Sequence, residues 1–429
     1  MLPEIRQNEF QFSIPVFDIE KNDIEDFLKE LKGFHENFYD CFHRSESRGH
    51  FFKYMVGQFS ELERKSIEPI ALNVKDGKVR AMQRFISDAE WDDANIEIKY
   101  RKMLNEDLGH PDGAMIFDES GFVKKGSDSI GVAKQYCGTI GKVENCQVGV
   151  FAAYASPYGY SVIDKELYLP KKWFGDDYKI RRDKCKLSED IEFKTKPQLA
   201  AEMLKKLVKE DAIPFKYILA DSIYGENPEF IEAAESLTEK TYFVSVGADT
   251  RCFLAQPMTV NKQYKYKGET RTKTVLSSDE KAPISVKEIA RNINNYFWYR
   301  RTVSEGTKGP ITYEFTKRRV ILSSNGLPQK TVWLIIRRSL SANPEYDYFI
   351  SNAPVSTRLK TFVWLSGLRW AIEQCFEETK SKLGMDHYEV RKFKGWHHHI
   401  LVCMLAHFFL WHLKIRLGKK SAIYYCITD

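Results

Sequence analysis

The 429-residue chain has no Cys-x-x-Cys pair, no internal repeat, no low-complexity tract and no long apolar run. Its eight cysteines are scattered at positions 41, 137, 146, 185, 252, 375, 403 and 426. That distribution offers neither a disulfide framework nor a zinc ribbon and suits a reducing compartment. The most apolar stretch, residues 400–411, is too short to span a bilayer, and the opening MLPEIRQNEFQFSIP has no basic segment followed by an apolar one. A soluble, unexported, cytoplasmic protein with no membrane partner is therefore expected. A strong charge imbalance is lacking as well: 65 Lys and Arg against 59 Asp and Glu leave +6, which permits a polyanionic partner without requiring one.

What is present is ample core material, 43% hydrophobic and 14% aromatic residues, enough for one large core or two to three smaller ones. Residues 23–108 carry helical periodicity in FLKELKGFHENFYDCF, QFSELERKSIEPIAL and WDDANIEIKYRKML. From Gly109 the pattern turns to strands, with GAMIFDES followed by ENCQVGVFAAYAS and YGYSVIDKELYLP across a Pro-Tyr-Gly turn. A helix over 197–210, the strand FKYILAD, a helix from Asn227-Pro228 and the strand TYFVSVG complete the order β-β-β-α-β-α-β. That order is the RNase H-like one. Residues 249–354 read as short strands rich in Lys, Arg and aromatics, a β-rich insertion, and residues 357–383 and 396–416 read as long helices.

The chemistry concentrates in three acidic residues. Asp118 follows Ala-Met-Ile-Phe and Asp221 follows Tyr-Ile-Leu-Ala, so each carboxylate is expected at the rim of a buried strand, where an unpaired charge has no structural reason to be. If those strands lie side by side, a divalent cation is the natural way to keep both carboxylates ionised. In RWAIEQCFEETK the spacing sets Arg369, Glu373 and Lys380 within about 40° on one helical stripe. Phe362, Leu365, Ile372, Phe376 and Leu383 form a separate, core-facing stripe.

These residues resemble the DDE transposases of bacterial insertion sequences, in the branch with a β-rich insertion and a Tyr-Arg-Glu-Lys signature, over residues 54–412. The motifs that carry the resemblance are Phe-Asp118-Glu-Ser-Gly, Ala-Asp221-Ser-Ile-Tyr-Gly and Arg369-Trp-Ala-Ile-Glu373, with Lys380 at the signature's last position and Ser366 where its tyrosine would stand. The resemblance implies an α/β architecture. An RNase H-like core with a mixed five-stranded sheet and flanking helices would occupy 109–248 and 355–429, interrupted by the insertion at 249–354 and preceded by an all-helical DNA-binding region at 1–108. It also implies DNA cleavage and strand transfer with two Mg²⁺ ions about 4 Å apart, for which Mn²⁺ could substitute, held by Asp118, Asp221 and Glu373. Arg369 and Lys380 would contact the DNA backbone near the cleavage point, and Tyr224, just after Asp221, would contact DNA near the active site. The partners would be double-stranded DNA, on the nucleoid, and a second copy of the chain in a synaptic complex.

Plainer readings stand beside these. An Asp at a strand end is ordinarily a turn former or helix cap, and three charges on a helix are ordinarily a solvated face. Glu119, Glu377 and Glu378 rival the chosen carboxylates, and Tyr224 could equally be a turn tyrosine packed on the sheet. His399, Cys403 and His407 share one helical face, where packing outweighs a zinc site. A DNA endonuclease without strand transfer, or a retired DNA-binding protein of the same fold, would keep the same architecture.

Overall fold

A computed structural model describes residues 21–425 of the chain, apart from 268, 307 and 308. The chain divides into two compact units, Met1–Lys216 with Trp370–Asp429, and Tyr217–Arg369. The first opens with helices α1 (Lys21–Glu36), α2 (Ser45–Phe59), α3 (Ile67–Asn73), α4 (Val79–Ser87) and α5 (Asp93–Leu108). Of these, α2 and α4 add to the three helical stretches expected. In α4, Met82, Phe85 and Ile86 are buried while Arg80, Gln83 and Arg84 are exposed, the i, i+3, i+4 division of an amphipathic helix. The start of α5 is capped by Asp92, whose carboxylate accepts from the Asn95 amide at 3.2 Å.

Four strands follow, β1 (Ala114–Val123), β2 (Ala133–Cys137), β3 (Lys142–Ser156) and β4 (Gly159–Tyr168), then helices α6 (Lys179–Cys185) and α7 (Lys196–Glu210). All four strands are antiparallel, with β3 pairing to β1, β2 and β4. From Cys146 onward β3 is buried on both faces, so its sequence is a continuous apolar run instead of an alternation. The α7 terminus carries a full capping box between Thr195 and Gln198, with Pro197 in the first turn.

The second unit runs through β5 (Tyr217–Ala220), α8 (Ser222–Gly225), α9 (Pro228–Glu235), β6 (Thr241–Val246), β7 (Arg251–Phe253), β8 (Thr259–Tyr266), β9 (Glu269–Leu276) and β10 (Ile284–Ser285). It continues with α10 (Val286–Arg291), β11 (Tyr299–Gly306), β12 (Gly309–Ser324), β13 (Leu327–Arg338), β14 (Tyr346–Ser351) and α11 (Leu359–Leu368). β5 and β6 are parallel, and β6 continues antiparallel through β14, β13 and β12. The strands between 249 and 354 thus extend the β5–β6 sheet, which grows beyond the five-stranded plan. Two of them, β12 and β13, are long, at 16 and 12 residues. β8 and β9 stand apart as a two-stranded hairpin.

The chain then returns to the first unit as α12 (Trp370–Leu383) and α13 (Phe393–Tyr425). The 400–411 run belongs to this longer helix, whose residues Phe393–Arg416 are long and apolar enough to cross a membrane by length and composition. Most of that segment is buried in the protein, with Leu401, Met404, Leu405 and Phe408 essentially inaccessible, so it is a core helix. In chain order β1, β3, β4, α7, β5, α9 and β6 reproduce the expected β-β-β-α-β-α-β, with β2 as an addition. The fold is mixed α/β with the RNase H-like order of elements.

Candidate catalytic site

Asp118 lies in the middle of β1, not at its rim, because the strand continues through Glu-Ser-Gly to Val123. Gly121 reads as a turn residue but is extended; a Cβ there would meet Cys137 Sγ at 2.4 Å, so close approach of a neighbouring chain segment, not a turn, requires the glycine. The β1–β3 register sets Asp118 opposite Phe151, and residues directly opposite share a face. The Phe151 ring meets Phe376 of α12 at a centroid distance of 5.2 Å, three residues beyond Glu373. Asp118 therefore stands, half-buried, on the sheet face that α12 covers, and Glu373 is exposed in the first turn of that helix. Lys380 ties the helix down, its ammonium donating to Gly121 O at 2.9 Å and Thr139 Oγ1 at 3.0 Å. Burial pulls that ammonium below its usual pKa.

The rival acids have structural partners of their own. Glu119 points to the opposite face, where Lys196 at the start of α7 pairs with it at 2.8 Å. Glu378 is partly buried, accepting from Tyr160 Oη at 2.7 Å and lying 2.9 Å from His407 Nε2. Glu377 accepts from Gln374 on the helix surface at 2.9 Å.

In the second unit, Asp221 closes β5 and caps α8, its Oδ1 accepting from the Ser222 amide at 2.6 Å. Gly225 lets that short helix press on β6, since a Cβ would come within 2.1 Å of Ser245 O. Asp221 and Arg369 line one cavity of about 230 Å³ together with Ser222, Arg337, Asp347 and Tyr348. Arg337 and Asp347 form an ion pair at 2.8 Å from directly opposed positions on β13 and β14. They lie more than a hundred residues from Asp221 in sequence, and nothing in the sequence pattern announced them; only the strand register does.

Two expectations need correction. The 357–383 helix is divided at Arg369, the last residue of the second unit, so Arg369 is not carried on α12 with Glu373 and Lys380. Tyr224 is fully buried in α8 against Phe230, at 5.7 Å between centroids, and has no exposed surface to offer DNA. Ser366 is likewise internal, its hydroxyl donating to Val363 O within α11. His399, Cys403 and His407 are core residues. His399 lies 2.8 Å from Tyr54 Oη and 3.1 Å from Met385 O, Cys403 accepts from Gln58 at 2.9 Å, and His407 lies 3.1 Å from Ser161 Oγ. Burial holds His399 down to about 3, so it is neutral and spoken for.

Among the described residues no three His, Cys, Asp or Glu side chains form a ready metal cluster. Asp118 and Asp221 are half-buried and Glu373 is exposed, and each by itself offers carboxylate oxygens, the donor type that a hard divalent ion prefers.

Comparison with known proteins agrees with this chemistry. The family model described as DDE superfamily endonuclease matches residues 37–310, a span that contains Asp118 and Asp221 and ends before Glu373. The chain is 24% identical over 347 residues, 79% of its length and 76% of the relative's, to the "Probable transposase for insertion sequence element IS701" of Microchaete diplosiphon. Among solved structures it is similar to a piggyBac transposase synaptic complex with hairpin DNA, at 10% identity and TM-score 0.41 over 92% of this chain and 74% of that one. It is also similar to the NurA nuclease of Sulfolobus solfataricus, at 11% identity and TM-score 0.28 over 68% and 92%. With the family model spanning well over half of its residues, the chain belongs to the DDE superfamily of endonucleases.

Proposed function

We propose that this chain is an insertion-sequence transposase that cleaves the ends of its element and joins the 3′-hydroxyls to target DNA. The observation that carries the reading is that Phe151, the cross-strand neighbour of Asp118, packs on Phe376 of α12, the helix that carries Glu373. The insertion-sequence transposase relative and the capped carboxylate at the end of β5 support it.

Asp118, Asp221 and Glu373 would hold the metal ions, two Mg²⁺ or Mn²⁺, which when bound supply Lewis acidity at the scissile phosphate. Their carboxylate oxygens would offset the charge of those ions. Arg369, beside Asp221 in its cavity, would bind a phosphate oxygen with its planar guanidinium. Lys380 acts by holding α12 to β1, which fixes the height of Glu373 over the sheet. The helices of 1–108 and the β-rich 249–354 region would grip duplex DNA flanking the cut, and two copies would act together because two ends must be cut and joined in concert. Such a protein works in the cytoplasm, on the nucleoid.

The test offers the purified chain and Mg²⁺ a duplex copied from the DNA bordering its gene, and separately the same duplex already cut to expose its 3′-hydroxyl, with a plasmid target. Joined products from the pre-cut duplex support transposition. Hydrolysis without joining assigns the chain to endonucleases that lack strand transfer, and no reaction on either duplex refutes the proposal.

A further inference from the structure

A basic concavity of the first unit lies beyond the end of β1. An open cavity of about 1050 Å³ is walled by α3, α4, the end of β1 with residues 124–126, and the 386–392 segment that links α12 to α13. Its lining carries seven Lys or Arg against four Asp or Glu. Two of the acids are already engaged: Glu389 pairs with Arg64 at 2.6 Å, and Asp88 with Lys186 at 3.1 Å and with Lys392. Arg80, Arg84 and Lys125 are exposed, and among the described residues no carboxylate lies within ion-pair distance of them. Lys124 forms the floor, its ammonium 3.3 Å above the centre of the Tyr388 ring and donating to Tyr388 O at 2.8 Å. Burial there lowers it to about 7, so an approaching anion would restore its charge.

Unpaired like charges around a concavity repel one another and are stabilised by a polyanion. At about 1050 Å³ the groove is far roomier than a small anion needs, and four chain segments wall it. Its distance from the catalytic carboxylate also fits a duplex: Asp118 and the end of β1 are five residues apart on one extended strand, about 16 Å, which corresponds to roughly five base pairs. We propose that this groove binds the phosphodiester backbone of double-stranded DNA, with Arg80, Arg84 and Lys125 as the phosphate-binding residues. The inference rests on the proposed function and adds to it a binding surface remote from the carboxylates.

The test measures binding of a fluorescent random-sequence duplex across a range of salt concentrations for wild type, for the triple variant Arg80→Ala, Arg84→Ala, Lys125→Ala, and for a control triple of exposed helix lysines, Lys102→Ala, Lys205→Ala, Lys209→Ala. Both triples remove the same charge from solvent-exposed positions, so melting temperatures should match wild type. The expected result is at least a tenfold loss of affinity in the groove triple alone, with the slope of log affinity against log salt reduced by about one for each phosphate that is no longer neutralised. Equal behaviour of the two triples, whether both weakened or both unchanged, overturns the groove assignment while leaving DNA cleavage standing. A wild type that binds no duplex at low salt overturns this inference and the proposed function together.

Discussion

The unit formed by Met1–Lys216 with Trp370–Asp429 contains all ten histidines and a buried charge network, whereas Tyr217–Arg369 contains no histidine and carries its cations on the surface. In the first, Glu97 receives Lys165 at 2.5 Å and Lys206 at 2.8 Å, Arg101 grips Glu210 through two 2.7 Å bonds, and Lys206 reaches Asp164 at 3.1 Å, joining α5, β4 and α7. In the second, guanidinium and ammonium groups lie on aromatic rings, Arg337 on Tyr313 at 4.5 Å, Arg338 on Trp298 at 4.1 Å and Lys317 on Trp333 at 4.1 Å. A buried charge is intolerant of losing its partner, and a surface charge stacked on a ring is not. The two units should therefore respond to substitution and to acid by different amounts, although each supplies carboxylates to the proposed chemistry.

The largest effect expected is catalytic. Asp118→Asn in one unit and Asp221→Asn in the other should each lower cleavage by at least about 10³-fold, the order lost when a charge-stabilising group leaves an active site. Glu373→Gln should do the same. Duplex binding should survive in all three, since an amide replaces the carboxylate at nearly constant volume. Cleavage gels alongside binding titrations check this; a variant that cuts normally would remove its residue from the site and, if it were Asp221, would leave chemistry to the first unit alone.

How far these residues were legible depended on whether their signal was local. Asp118 and Asp221 stood out because a charge after four apolar residues is anomalous in sequence, and β1, β3, β4, β5 and β6 stood out because their burial is continuous. β2 escaped because Lys134, Gln135 and Tyr136 are partly or fully exposed, which gives Ala133–Cys137 no apolar pattern. The end of β1 was set too early, at Asp118, because Asp118, Glu119 and Ser120 interrupt the apolar run although the strand continues through them to Val123. Tyr224 was ambiguous: a tyrosine beside a candidate aspartate reads the same whether its ring faces DNA or Phe230. The break at Arg369 follows Ser366-Gly367, a pair that also occurs inside unbroken helices and so does not by itself mark a boundary. The approach of the Arg337–Asp347 pair to Asp221 and the basic groove join segments far apart in sequence and exist only in three dimensions.

Next in size is the buried network. Glu97→Ala should destabilise the protein by about 3–5 kcal/mol, because Lys165 would be left buried without its carboxylate, while Arg101 would keep only Glu210. Arg337→Ala in the second unit should cost about 1 kcal/mol or less, since its partner Asp347 is half-exposed. Urea denaturation of both variants compares them directly, and similar losses would mean that the two units do not differ in how they use charge.

Acid should divide the units next. Burial holds His35 down to about 4 and His399 down to about 3, so in the folded state both stay neutral where the unfolded chain would be protonated. A base with a lowered folded pKa makes stability fall as pH drops below the unfolded value near 6.5, and the loss is complete at the folded value. By pH 4 each should contribute about 3 kcal/mol of destabilisation. In Tyr217–Arg369 burial raises Tyr242, Cys252 and Tyr348, which moves them further from that window. Hydrogen exchange by mass spectrometry between pH 7 and pH 4 should show protection lost first around α1 and α13; loss beginning in β12 and β13 would contradict the assignment.

The smallest effect belongs to the β8–β9 hairpin, and it is informative because it should be nearly absent. From Thr259 to Thr274 the described side chains are exposed on both faces, so the hairpin buries no core and two strands alone are marginal in water. Its register sets Lys262 directly opposite Lys273, a like-charge pairing that disfavours the hairpin by a few tenths of a kcal/mol. Lys273→Glu should reverse that local term, and replacing residues 259–276 by a short Gly-Ser link should change global stability by no more than about 0.5 kcal/mol, the range of surface changes that touch no core. A clear drop in melting temperature on removing the hairpin would show that the second unit depends on it for packing. An unchanged melting temperature with weaker duplex binding would make it a surface held out for DNA, with the opposed lysines relieved by a phosphate between them.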